Sequence, residues 1–265
     1  MDIPNEFVGT LLNQGQAFVA VDQTLVEDAN GAMGETIQAL RVGDRPQLVR
    51  PSESECDVGL VYRPGKSGFD HKYFFHLAPD FTTLADDSGL SYTQLEKQLA
   101  VLERLYALLG SCAIALGQQI DDEFPDLFSG PLATNIQQCL LHQTAYSSTT
   151  LRGLWYPAGN NQHGAKKHID RSFLSIHLGD KGGKLIGLKD EHDEVGEIIS
   201  PEPGQALIFF GVKAFLASRG KIEPLWHYST VDVGQDRKAL VQFTHIDTGS
   251  PVIDAKAVYD AFRSR

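Results

Sequence analysis

The sequence predicts a mainly β fold with supporting helices: a sandwich or jelly-roll barrel in the C-terminal half, with a helical N-terminal region packed on it. Three observations carry this. After Pro131 most of the chain is short β-type runs broken at regular intervals by Gly, Asp and Pro, the pattern of all-β sandwiches and barrels. Ahead of that point, two long segments repeat their apolar residues at helical steps. No linker, internal repeat or low-complexity tract divides the halves. The 265 residues therefore read as one domain: a mixed region over 1–145, a β core over 146–250 and a short helix over 251–265.

The elements follow in order. Residues 5–14 suit a short helix, and Ala17 to Val21 is a compact apolar run fit for a buried strand. From Thr24 to Arg41, Leu25, Val26, Ala29, Met33, Ile37 and Leu40 fall on one helical face. Val58–Tyr62 and Tyr73–Leu77 read as strands around a Pro-Gly-Lys-Ser-Gly turn. Ser91-Tyr92-Thr93-Gln94 has the form of a capping box, and the stripe Leu95, Leu99, Leu102, Leu105, Leu109, Cys112, Ala113, Leu116 continues its helix to about Ile120. Such a stripe is packing surface, with Cys112 as a small buried hydrophobe. One more helix is expected to about Gln143, then strands at 151–156, 172–178, 184–188, 197–200, 205–210, 226–231 and 240–246, and an amphipathic helix over 253–262.

Composition narrows the function. With 42% apolar and 22% charged residues the chain has ample core. A net charge of −11 argues against nucleic acid, whose phosphates require a basic face. Cys56, Cys112 and Cys139 are odd in number and lack CxxC spacing, so neither a disulfide framework nor a zinc knuckle is expected, and a reducing cytoplasm is the natural setting. The N-terminus lacks a signal-peptide pattern and no apolar run reaches membrane-spanning length, so no membrane partner is expected.

The chemistry concentrates between Tyr156 and Arg237. His168 and Asp170 are two apart and share a face if that stretch is a strand. His227 lies on a later predicted strand. Two histidines and a carboxylate are the ligand set that holds Fe(II) on one face and leaves positions open for oxygen chemistry. A second copy of the pattern, His245-Ile246-Asp247, is followed by no histidine and reads as a strand end near the surface. His177, an odd number of residues from His168, is expected on the opposite face. Lys166, Lys167 and Arg171 flank the motif as surface cations, with an anionic substrate as the sharper alternative.

The flanks carry a resemblance. Leu151 to Pro157, the Pro201-Glu202-Pro203-Gly204 turn with the run Gln205 to Phe210, the Ser218-Arg219-Gly220 segment leading to His227, and Arg237-Lys238-Ala239 fall in the order of Fe(II)/2-oxoglutarate-dependent oxygenases. They resemble the isopenicillin N synthase-like branch over roughly 150–247, with a fainter echo in Gly68 to Phe75. The resemblance implies a double-stranded β-helix in which His168, Asp170 and His227 bind Fe(II). It also implies that Arg237 pairs with the C5 carboxylate of 2-oxoglutarate, with a hydrogen bond from Tyr156 nearby. A guanidinium fork matches a carboxylate in two parallel bonds. The implied reaction uses O2 to hydroxylate or desaturate a small molecule (an amino acid, a peptide-like compound or a secondary metabolite), with release of succinate and CO2. Halogenases of this superfamily have Gly or Ala in place of the carboxylate ligand, so Asp170 disfavours halogenation.

Two residues depart from the pattern. Ala239 stands where the family has the serine of Arg-x-Ser, and Leu154 where many plant members have asparagine. Both bear on how 2-oxoglutarate is held, and leave open an Fe(II)-dependent oxidase or cyclase that does not use it. A metal-binding jelly roll without turnover is the alternative from a different functional class.

Overall fold

The computed structural model describes residues 3–4, 6–41, 47–49, 58–63, 70–79, 95–142, 148–159, 164–190 and 192–246. The expected capping box at 91–94 and the terminal helix at 253–262 lie outside them. The elements are α1 (Phe7–Gln14), β1 (Gln16–Ala20), α2 (Gln23–Leu40), β2 (Gln47–Val49), β3 (Val58–Arg63), β4 (Lys72–Leu77), α3 (Glu96–Glu123) and α4 (Leu132–Leu141). Then follow β5 (Ser148–Tyr156), β6 (Leu174–Lys181), β7 (Gly183–Leu188), β8 (Glu197–Ile198), β9 (Gln205–Phe210), α5 (Val212–Ala217), β10 (Trp226–Val231) and β11 (Arg237–His245).

The strands form two antiparallel sheets, a jelly-roll double-stranded β-helix. The major sheet has eight strands in the order β1-β9-β6-β11-β5-β4-β3-β2, and the minor sheet has β10-β7-β8. The N-terminal region does more than pack on the barrel: β1 pairs with β9, and β4 pairs with β5, extending the major sheet in both directions. The strands of 58–62 and 73–77 and the short β2 thereby become part of the barrel wall.

Helices cover the outer face of that sheet, which is why β5, β6 and β9 are buried along most of their length rather than on alternate residues. Helix α2 starts at Asp22, whose carboxylate accepts the Leu25 N–H at 3.1 Å. It lies against β4, β5 and β11, and Gly153 on β5 permits the close approach: a Cβ there would stand 2.0 Å from Met33 Cγ. Helix α3 is long and apolar enough to span a membrane by composition. Here its stripe from Leu99 to Ile120 is buried in the main core together with α2, α4 and the sheet.

Candidate metal centre and cosubstrate pocket

The first two candidate ligands, His168 and Asp170, do not sit on a regular strand. Residues 164–168 run beside β10 as a short fourth rung of the minor sheet: Gly164 N–H donates to Ser229 O (3.1 Å) and Ser229 N–H to Ala165 O (3.1 Å). His168 and His227 exchange both backbone hydrogen bonds, each at 2.9 Å. This places the two imidazoles side by side, ring centroids 4.3 Å apart. The chain then turns, and the start of α5 clamps it, with Val212 N–H on Asp170 O (2.8 Å) and Gly211 N–H on Phe173 O (3.1 Å).

The three side chains converge. Asp170 Oδ1 is 3.6 Å from His168 Nε2 and 3.8 Å from His227 Nε2. Donors each about 2.1 Å from one ion stand at most about 4.2 Å apart, so both separations fit a shared metal. Second contacts orient the ligands. His168 Nδ1–H donates to Lys166 O (2.7 Å) and His227 Nδ1–H to Leu225 O (3.1 Å), leaving both Nε2 lone pairs directed at the site. Ser175 Oγ–H donates to Asp170 Oδ2 at 2.6 Å, so Oδ1 is the oxygen left for a metal. Burial raises the Asp170 pKa, but the neighbouring histidines, Ser175 and Arg152 outweigh it and hold the carboxyl below its usual value. For His227, burial and the neighbouring His168 push the pKa down to about 4. Both groups are thus poised in the forms that bind metal.

Arg237 and Tyr156 stand directly opposite each other in the β11–β5 register, and both line the cavity that holds the three ligands. The guanidinium lies 5.1 Å from the Tyr156 ring centre. The Tyr156 hydroxyl is 3.1 Å from Lys72 Nζ, which itself lies 2.6 Å from Asp70 Oδ1. Arg237 is 1% exposed and its Nη2 is bonded to Asp180. Its Nε is buried and, among the described residues, has no hydrogen-bond partner. An orphaned donor on a cavity wall fits an incoming carboxylate. Ala239 is buried across from Asp180 and Leu154 in the two registers and does not line the metal cavity. Leu154 does, as an apolar contact where an amide would offer hydrogen bonds.

Asp180 was not apparent from the sequence. Its carboxylate is fully buried and also accepts from His177 Nε2–H (2.9 Å) and Ser200 Oγ–H (3.1 Å). Burial opposes its charge, yet Arg237 and then His177 and Ser200 hold its pKa well below the carboxylate range. The β6–β11 register skips Gly179, a bulge that brings His177 and Asp180, three apart, onto one side.

Two expectations are corrected. His177 shares the metal cavity with His168 instead of facing away from it. Counting parity from residue 168 fails because 168–173 belong to a turn and not to β6. His245 is the last residue of β11, but its Nδ1 has no solvent contact, and burial, with Lys213 and Arg152 nearby, pushes its pKa down to about 3. It shares the inward face of Val241 and Phe243 by strand alternation. Lys166 and Arg171 are exposed and Lys167 bonds the Asp193 carbonyl; none of the three lines the cavity.

This is the fold of Fe(II)/2-oxoglutarate-dependent oxygenases. A Shewanella oneidensis protein classed as an oxygenase superposes with a TM-score of 0.69 at 20% identity, over 98% of this chain and 93% of its own. The Arabidopsis thaliana dioxygenase for auxin oxidation 1, in complex with 2-oxoglutarate, gives 0.62 at 16% identity over 95% and 92%. A full-length Neurospora crassa protein, in complex with α-ketoglutarate and 5-formyluracil, gives 0.65 at 13% identity over 98% and 89%. No protein-family profile and no curated protein sequence matches the chain.

Proposed function

We propose that this protein is a non-haem Fe(II)- and 2-oxoglutarate-dependent oxygenase that hydroxylates or desaturates a small molecule. The observation that carries this is the convergence of His168, Asp170 and His227 on one point, inside a cavity whose wall also carries a buried arginine with an orphaned N–H. Bound Fe(II), with 2-oxoglutarate and O2, would supply the oxidising power for C–H cleavage, with succinate and CO2 as coproducts.

The chain's own residues do the rest. The carbonyls of Lys166 and Leu225 fix the tautomers of the two histidines, and Ser175 orients Asp170. Arg237, held by Asp180, offers its remaining donors to the distal carboxylate of the cosubstrate. Leu185, Phe209 and Val241 line the same cavity and limit the water that reaches the reacting atoms. A cytoplasmic setting belongs to this reading and is supported by the buried thiols of Cys112 and Cys139.

Anaerobic addition of Fe(II) and 2-oxoglutarate to the purified protein should give a weak visible charge-transfer band, and admission of air should yield succinate. In Asp170→Ala both signals should vanish. Retention of either in that variant would sink the metal assignment. A second reading, an oxidase that does not use 2-oxoglutarate, draws support from the Arg237–Asp180 pair and from Ala239, since the arginine already has a carboxylate partner. Oxygen consumption that needs Fe(II) but is indifferent to 2-oxoglutarate would favour it.

A further inference from the structure

We propose that Lys72, on strand β4 of the N-terminal region, is a positioning residue of the cosubstrate site. Its ammonium takes the acceptor side of the Tyr156 hydroxyl, which commits that hydroxyl to donate, beside Arg237, to the distal carboxylate of 2-oxoglutarate. This deepens the oxygenase reading and rests on it.

Three strands carry one row of side chains. Arg237 on β11 is the register partner of Tyr156 on β5. Strand β5 pairs with β4 from Trp155 opposite Tyr73, so the next position along this antiparallel pair sets Lys72 beside Tyr156. Side chains of one such row point to one face of the sheet, and all three line the cavity of the candidate metal ligands. Lys72 Nζ is 5.2 Å and the Arg237 guanidinium 5.1 Å from the Tyr156 ring centre.

An ammonium has donors and no acceptor. The lysine is therefore the donor in the 3.1 Å contact between Lys72 Nζ and the Tyr156 oxygen, and the phenolic hydrogen must turn elsewhere. Among the described residues it has one acceptor, Asp70 Oδ1 at 3.5 Å. That distance is at the outer limit of a hydrogen bond, and the same oxygen is already held by Lys72 at 2.6 Å. Lys72 is itself fixed, being 7% exposed. Asp70 adopts a left-handed conformation, φ 56°, rare outside glycine, and from it reaches both Lys72 and Arg63 (2.8 Å). The Tyr156 hydrogen is thus left to the cavity. It stands beside Arg237 Nε, which is buried without a hydrogen-bond partner among the described residues. Two such donors suit a group that only accepts, and a carboxylate is one. They answer the lack of a serine hydroxyl at Ala239, which does not line this cavity.

The test uses the full-length protein, anaerobic and loaded with Fe(II), and compares two probes by calorimetric titration. One is 2-oxoglutarate; the other is 2-oxopentanoate, which keeps the chelating end and replaces the distal carboxylate with a methyl group. The wild-type protein should bind 2-oxoglutarate about a hundredfold more tightly, the scale of two charge-assisted hydrogen bonds. In Lys72→Met that ratio should fall about tenfold while 2-oxopentanoate keeps its affinity within about twofold, a split that a merely structural loss would not give. Asp70 also has Arg63, so this variant strands no carboxylate, and circular dichroism checks the fold. Tyr156→Phe tests the same step with Lys72 in place and should lower the ratio equally. Adding Lys72→Met to Tyr156→Phe should lower it by no more than about a further twofold, because the lysine acts through the hydroxyl. Three results overturn the proposal and leave the oxygenase reading standing: a ratio within about twofold of wild type in either single variant, equal weakening of both probes in Lys72→Met, or a further fall of about tenfold in the double variant. Equal binding of the two probes by the wild-type protein also overturns it, and binding of neither overturns the oxygenase reading as well. Succinate formed in air is scored separately. A Lys72-dependent ratio without succinate upholds the positioning role and overturns the oxygenase reading.

Discussion

At the scale of single residues, the main surprise is Asp180. A carboxylate with no solvent exposure holds Arg237 on one oxygen and His177 and Ser200 on the other. Removing one member of such a buried pair strands the other charge, which costs about 3–5 kcal/mol. Asp180→Asn should therefore lower unfolding stability by that order in urea titrations. The double change Asp180→Leu with Arg237→Met should be more stable than Asp180→Asn alone, because it leaves no buried charge unmatched. A loss below about 1 kcal/mol in Asp180→Asn would mean that water or another group already shares the site. The convergence of His168, Asp170 and His227 was legible, because they are of ligand type and their flanks fall in a recognisable order. Asp180 was not legible: three residues from His177, it should face the other way on a regular strand. The skipped residue Gly179 reverses that, and nothing in local composition marks such a bulge.

At the scale of elements, the metal segment is held from two sides, by β10 through paired backbone bonds and by the start of α5. Gly211 is the point of closest approach. A Cβ there would meet Ser172 O at 2.3 Å and Asp170 O at 2.7 Å, and neither backbone atom can yield without moving the metal carboxylate. Gly211→Ala should cost about 1–3 kcal/mol as an overpacked site. It should also weaken Mn(II) or Fe(II) affinity about tenfold, measured by competition with a chromogenic chelator. Unchanged affinity would show that the clamp does not set the ligand geometry. The strands after Pro131 and helices α2 and α3 were readable because their periodicities are strong and uninterrupted. The six-residue α5 and three-residue β2 were missed, being too short for any period to register. The strand placed at 172–178 begins instead at Leu174, after the chain has left the turn that follows Asp170.

At the scale of the whole molecule, the barrel interior carries titratable groups whose neutral or charged forms depend on the fold. Burial pushes the pKa of His245 from 6.5 down to about 3, and that of His227 to about 4. At neutral pH both are neutral in the folded protein and mostly neutral in the unfolded chain, so they affect stability little. As pH falls below 6.5 the unfolded chain takes up the proton first, and the native state loses about 1.4 kcal/mol per unit per histidine until the folded pKa is reached. The depressed carboxyls Asp170 and Asp180 act in a different window: their contribution is present above 3.8 and is lost only below it. Metal-free protein should therefore lose up to about 4 kcal/mol between about pH 7 and about pH 5 by urea unfolding, and His245→Asn should remove about half of that loss. An unchanged slope in the variant would place the His245 ring in contact with water.

The pairing of β1 with β9 also has a kinetic consequence. Gln16 and Phe209 are register partners although they lie near opposite ends of the described chain. During synthesis β1 is made well before the strand it must join, which follows only after β2 to β8. Until then β1 has no partner, and β9, once made and paired with β6, keeps an open edge until β1 joins it; an open edge invites pairing with another chain. Contacts of such sequence separation make folding slow, because the loop must close before they stabilise anything. Removing the strand Gln16–Ala20 is expected to raise aggregation during refolding, read by light scattering, by leaving β9 as a permanent edge.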